Sequence, residues 1–134
     1  MTGTAEGREF FGDVIYKYTR AQAIEEGVLE DVTEVAKEAG VKVPVALTKA
    51  VWEGCIVPDE RSRLCGQSEA GRLWDVLSVF TCCARSAKPG TDTIFFTVRF
   101  IMKERQRRNV RFKAVLGGGD EGGPVITIML PEED

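Results

Sequence analysis

Seven basic side chains, Arg99, Lys103, Arg105, Arg107, Arg108, Arg111 and Lys113, lie between positions 99 and 113 against a single acid, Glu104. Cations at this density can neutralise phosphates or grip an acidic protein face. They also blunt the edge of a sheet, so a solvated turn accounts for them equally well. Aromatic interleaving on the exposed side is limited to Phe95, which leaves little for bases to stack on. A second polar group surrounds Thr19-Arg20-Ala21-Gln22. That spacing is a capping box, in which the Thr19 hydroxyl accepts from a helix amide while Gln22 reaches back. Tyr18, Thr19, Arg20 and Gln22 join Arg99, Lys103, Arg105, Arg107, Arg108 and Arg111 as candidate binding residues, although Arg20 and Gln22 are equally suited to capping.

Catalytic chemistry is poorly supplied. There is no histidine, so the usual base near neutral pH and the commonest metal ligand are both missing. Cysteines stand at 55, 65, 82 and 83 without a C-x-x-C pair. Cys82 and Cys83, adjacent on a helix, point about 100° apart and do not converge on one ion. The loop Gly117–Gly123 is glycine-rich but lacks a following Lys-Ser/Thr, carries Asp120 and Glu121, and leads through Pro124 into a strand. It therefore reads as a flexible strand connection and not as a phosphate cradle. Glu25 and Glu26 diverge on a helix, and no carboxylate pair has the spacing of an acid–base couple. The expectation is a non-enzymatic protein with no cofactor and no metal.

The elements that must position these residues follow from periodicity. Ile94, Phe96, Val98, Phe100 and Met102 alternate with Phe95, Thr97, Arg99, Ile101 and Lys103, the period of a strand with one buried face. Val110–Leu116 and Val125–Leu130 continue an antiparallel meander. The last run is apolar on both faces, which suits a central strand or a dimer-forming edge. Before the sheet, the sequence predicts a strand at Val14–Tyr18, a helix to Glu26 ended by Gly27, a strand at Val28–Val32, and a helix Glu34–Ala39 capped by Thr33 and ended by Gly40. Pro44 then suits the first turn of a helix Val45–Ile56. Ser68 opens the longest helix, to about Ala87, with Leu73, Val76, Leu77, Phe80 and Ala84 on its buried stripe and Lys88-Pro89-Gly90 as its stop. Trp52 and Trp74 are expected in the core, and Arg72 with Asp75 as an i,i+3 surface pair.

With 134 residues the chain is long enough for one ordinary core, and 43% hydrophobic with 29% charged residues is normal for a globular domain. Residues 1–10 are expected to be disordered and 11–134 to form one α+β domain, with short helices, short strands and one long helix packed on an antiparallel sheet of three or more strands. No apolar run reaches the length of a membrane span and the N-terminus lacks signal-peptide character, so a cytoplasmic protein is expected. The net charge of −3 hides a polarity: residues 1–60 carry −6, 99–113 carry +6, and 114–134 carry −5. A partner of either sign could be steered to one pole.

Four segments carry a resemblance: Tyr18-Thr19-Arg20-Ala21-Gln22-Ala23-Ile24 with Gly27-Val28-Leu29 and Asp31-Val32-Thr33; Pro44-Val45-Ala46-Leu47-Thr48 with Ala50-Val51-Trp52; Glu69-Ala70-Gly71-Arg72-Leu73-Trp74-Asp75-Val76-Leu77; and Pro124 through Glu132. Together they resemble a family of short proteins of unknown function carried by phages, plasmids and integrative elements. The resemblance implies an accessory protein of the bacterial cytosol, in a setting typical of counter-defence factors that block or sequester a component of host immunity. Its partner would then be a host protein or a small nucleotide signal. Val14–Leu29 also resembles the opening of ADP-ribosyltransferase-type folds, which implies a degenerate nucleotide- or NAD-binding protein as an alternative. A nucleic-acid-binding regulator acting through the basic hairpin is a third reading, and a homodimer is compatible with all three.

Overall fold

The computed structural model describes residues 18–58, 68–101 and 107–133, with Ile101 placed by its backbone alone. The expectations for residues 1–10, the Val14–Lys17 part of the first strand, the 59–67 loop with Cys65, and Met102, Lys103 and Arg105 lie outside the described residues.

Val125–Leu130, apolar on both sides, does become the middle of the sheet. This strand, Pro124–Met129, is flanked by a parallel neighbour, Val45–Thr48, and an antiparallel one, Arg107–Gly118. In chain order the elements are α1 (Arg20–Glu25), β1 (Leu29–Asp31), α2 (Thr33–Glu38), β2 (Val45–Thr48), α3 (Lys49–Val51) running into a π-helical turn Trp52–Ile56, α4 (Glu69–Arg85), β3 (Thr93–Ile101), β4 (Arg107–Gly118) and β5 (Pro124–Met129). The sheet order is β1-β2-β5-β4-β3, antiparallel except at β2–β5. This is an α+β fold.

The expected type of one element is overturned. Val45–Thr48 is a strand, not the start of a helix. A four-residue apolar run has no decisive periodicity, and a slot between β1 and β5 buries Val45, Ala46 and Leu47 completely. The helix begins only after Thr48, whose hydroxyl accepts from the Val51 amide. A smaller shift occurs at α2: Thr33 is its first helical residue, and Val32 is the cap. Other boundaries follow the expected chemistry. Thr19 and Gln22 form the reciprocal capping box, and Ser68 accepts from the Gly71 amide at 3.0 Å.

The inner face of the sheet is the core. Phe80 of α4 packs on Phe96, Phe96 on Phe112, and Phe100 stands edge-on to Phe112, with ring centroids 5.7, 5.6 and 6.1 Å apart. Leu73, Val76 and Leu77 complete the α4 stripe. Two residues of that helix differ from expectation. Arg72 is no surface partner of Asp75 but is buried (2% exposed), donating to the Cys55 carbonyl at 3.0 Å and lying over the Phe100 ring. The guanidinium is affordable there because a carbonyl and an aromatic face replace water. Trp74, expected inside, is 43% exposed. It falls one step of 100° beyond the Leu73–Leu77 stripe.

Candidate functional site: the cleft beside the first helix

α1 crosses the outer face of the sheet, and two long-range ties hold it there. The Arg20 guanidinium donates to Thr127 Oγ1 at 2.7 Å and to the Ile126 carbonyl at 2.8 Å. Asp120, in the β4–β5 loop, accepts from the Arg20 and Ala21 amides at 2.8 and 3.0 Å. A carboxylate at the first turn meets free amides and the positive end of the helix together. The loop is thus docked and not a loose connection. Its Gly122 takes φ +84°, and a side chain on Gly119 would meet Val125 at 2.9 Å.

Between α1, the β1–α2 junction and this loop lies an open cleft of about 650 Å³. Asp31 and Thr33 form its opposite wall. The Thr33 amide and hydroxyl both donate to Asp31, and the same hydroxyl accepts from the Val45 amide at 3.2 Å, joining the wall to β2. Glu34, Lys42 and Glu121 stand at the rim. Glu34 pairs with Lys37 at 3.3 Å. The lining carries Arg20 and Lys42 against Asp31, Glu34, Asp120 and Glu121, so it is net acidic. Burial pulls the Arg20 guanidinium below its usual range, and the Asp31 and Asp120 charges oppose that shift.

Of the N-terminal candidates, Arg20 lines this cleft, while Tyr18 and Thr19 wall an adjoining hollow of about 300 Å³ that Arg20 and Asp120 share. Tyr18 donates to Glu26 at 2.8 Å, which with partial desolvation pushes its phenol up. Gln22 is spent on the cap. Asp31, Thr33, Lys42 and the docking role of Asp120 were not legible as site features. The capping box was a signal that α1 has an organised N-terminus, but nothing local says that residue 120 meets it.

The basic candidates occupy the far end of the sheet and divide between its faces. Arg99, Arg107 and Arg111 align with the outer face, whereas Arg108 sits opposite Phe100 on the inner side. The reason is the strand period: adjacent residues cannot share a face. Arg111 covers the Phe95 ring at 4.8 Å, and Arg99 donates to Asn109 at 3.3 Å. Cys55 is buried, which pushes its thiol up, and Cys82 is exposed. A hollow of about 300 Å³ also opens between α4 and the sheet near Ala84, Lys88 and Leu116. Among the described residues, no three carboxylates or thiols gather closely enough to hold a metal, and no helix is long and apolar enough to cross a membrane.

Residues 8–134 match a family of unknown function, DUF6573. The chain belongs to that family. Both the cleft residues and the basic hairpin of this DUF6573 protein fall inside the matched region. No curated protein and no solved structure matches it.

Proposed function

We propose that this DUF6573 protein is a non-enzymatic binding protein of a phage or mobile element, which blocks or sequesters a protein component of host immunity by seating it in the α1 cleft. The observation that carries the binding role is how the cleft's charges are used. Arg20, Asp31 and Asp120 are all engaged in bonds that build the walls. What is left for a ligand is a preorganised surface with Lys42 and Glu121 at its mouth, suited to recognition more than to proton transfer. The net acidic lining favours a basic protein element over an anionic nucleotide. The immunity setting comes from the mobile-element resemblance.

The test is phage plating on bacterial strains that each carry one defence system, with and without the protein. At least one system should lose protection, and the double charge reversal Lys42→Glu/Glu121→Lys should restore it while leaving the fold intact. No effect on any system would remove the counter-defence role. Calorimetry with NAD, ADP-ribose and cyclic nucleotides should give no heat, and tight binding would replace a protein target with a nucleotide one. The outer-face bases Arg99, Arg107 and Arg111 favour a second reading, a nucleic-acid binder. That reading requires affinity to fall with log salt at a slope of about −0.9 per neutralised phosphate.

A further inference from the structure

β3 is the last strand of the sheet, nine residues long, and its register with β4 runs unbroken from Thr93 opposite Val115 to Ile101 opposite Arg107. It contains no proline and no bulge, two of the devices that blunt an edge, and Arg99 is its one charged residue. The direction of its backbone groups can be fixed. The Leu116 amide donates to the Asp92 carbonyl at 2.8 Å, and these two residues lie one step beyond the Thr93–Val115 pair. Hydrogen-bonded and non-bonded pairs alternate along an antiparallel ladder. Ile94, Phe96, Val98 and Phe100 therefore turn their amides and carbonyls towards β4, and Thr93, Phe95, Thr97 and Arg99 turn theirs out from the edge. Among the described residues, no strand lies beyond them.

We infer that this edge pairs with the same edge of a second copy, antiparallel about a two-fold axis through Thr97. The sequence of the strand points to both the occupant and the register, because of the possible centres only Thr97 sets Phe95 opposite Arg99. Centred on Thr97, Phe95 faces Arg99 of the second copy and Arg99 faces its Phe95, so one self-complementary pair is made twice. Arg111 already covers one side of the Phe95 ring, which is 48% exposed, and the second copy's Arg99 arrives as its cross-strand neighbour. On the inner face the same register sets Phe96 opposite Val98 and Ile94 opposite Phe100, extending the core layer across the axis. Centring on Arg99 would instead oppose two guanidinium groups. Centring on Phe95 would leave Arg99 facing the Thr91 turn. The product is a continuous ten-stranded sheet.

Sedimentation equilibrium of the full chain, from micromolar to millimolar protein, should show a monomer–dimer equilibrium. Thr97→Pro removes an amide that bonds to no other strand among the described residues, so it should weaken the dimer about tenfold or more while far-UV dichroism and melting of the monomer stay unchanged. In a Cys82→Ser background, Thr97→Cys should oxidise to a covalent dimer, because residues facing themselves across the axis fall within disulfide reach, and Thr93→Cys should not. A protein that is monomeric throughout, or a dimer that Thr97→Pro leaves intact, overturns the inference. If Thr97→Pro fails to fold, the cross-link decides: a bond at 97 alone supports the pairing, and a bond at 93 or at neither overturns it.

Discussion

At the β1–β2–β5 end of the sheet both faces are covered, the inner by α2 and the helical Lys49–Ile56 segment and the outer by α1. At the β3–β4 end, among the described residues, only the inner face is covered, by α4, and the outer face presents Phe95, Arg99, Arg107 and Arg111 to solvent. The edges differ in the same sense. β1 is three residues long and ends in Asp31, while β3 is nine residues long and without a bulge. The closed end adds to its apolar core polar ties between residues about a hundred positions apart, such as Arg20 to Thr127 and Asp120 to α1. The open end is held by apolar packing on one side alone. A sheet finished in this way has one half shaped as a cleft and the other left as a surface and an edge.

The largest effect should come from removing the packing that makes the open half possible. Phe112 is fully buried and touches both Phe96 and Phe100. Phe112→Ala should destabilise the protein by about 3–5 kcal/mol, read from the urea midpoint at unchanged slope. A loss below about 1 kcal/mol would mean that the Phe ladder is not what holds β3 and β4 to α4.

At the closed end, Arg20→Ala should cost about 1.5–3 kcal/mol, the range for hydrogen bonds from a charged group. It frees the Ile126 carbonyl and Thr127 hydroxyl and releases α1 from the outer face. Amide exchange separates this from a global effect: protection should fall first in α1 and β5 and least in β3. Asp120→Ala acts on the same contact from the loop side and should cost about 1 kcal/mol, as for the loss of a helix cap. Because Arg20 and Asp120 meet on one helix turn, the double variant should cost less than the sum of the two. Strict additivity would show that the loop and the guanidinium hold α1 independently.

The contrast between the ends also explains what could be read from the sequence. The open half was legible: the alternation of Ile94 through Phe100, the stripe of α4 and its Ser68 cap all follow from local periods and local chemistry. The closed half was legible in its two short helices with their caps and glycines and in strands β1 and β5, but not in how these elements meet. Val45–Leu47 has too few residues for a period, and its strand identity comes from the slot between β1 and β5. Asp120 looked like a loop charge because its partners are 100 and 99 residues away. Arg72 and Trp74 were exchanged between core and surface because the guanidinium finds a carbonyl and a ring that only the fold brings together.

The smallest expected effect concerns Asp75, on the solvent side of the α4 helix that covers the open half. Burial alone raises its carboxyl above the ordinary aspartate value. The folded state therefore holds that proton more tightly than the unfolded chain does. Its stabilising contribution is fully present below the unfolded value, about 3.9, and is lost as pH rises through the raised folded one. Above both, the charged group sits in a poorly hydrated position at a constant small penalty. Asp75→Asn should accordingly raise the melting temperature slightly at neutral pH, within the ~0.5 kcal/mol typical of surface positions, and the gain should vanish once the wild-type carboxyl is protonated. If the variant is instead less stable at neutral pH and equal in acid, Asp75 has a cationic partner in solution, and the outer side of α4 is held by charge as the closed end is.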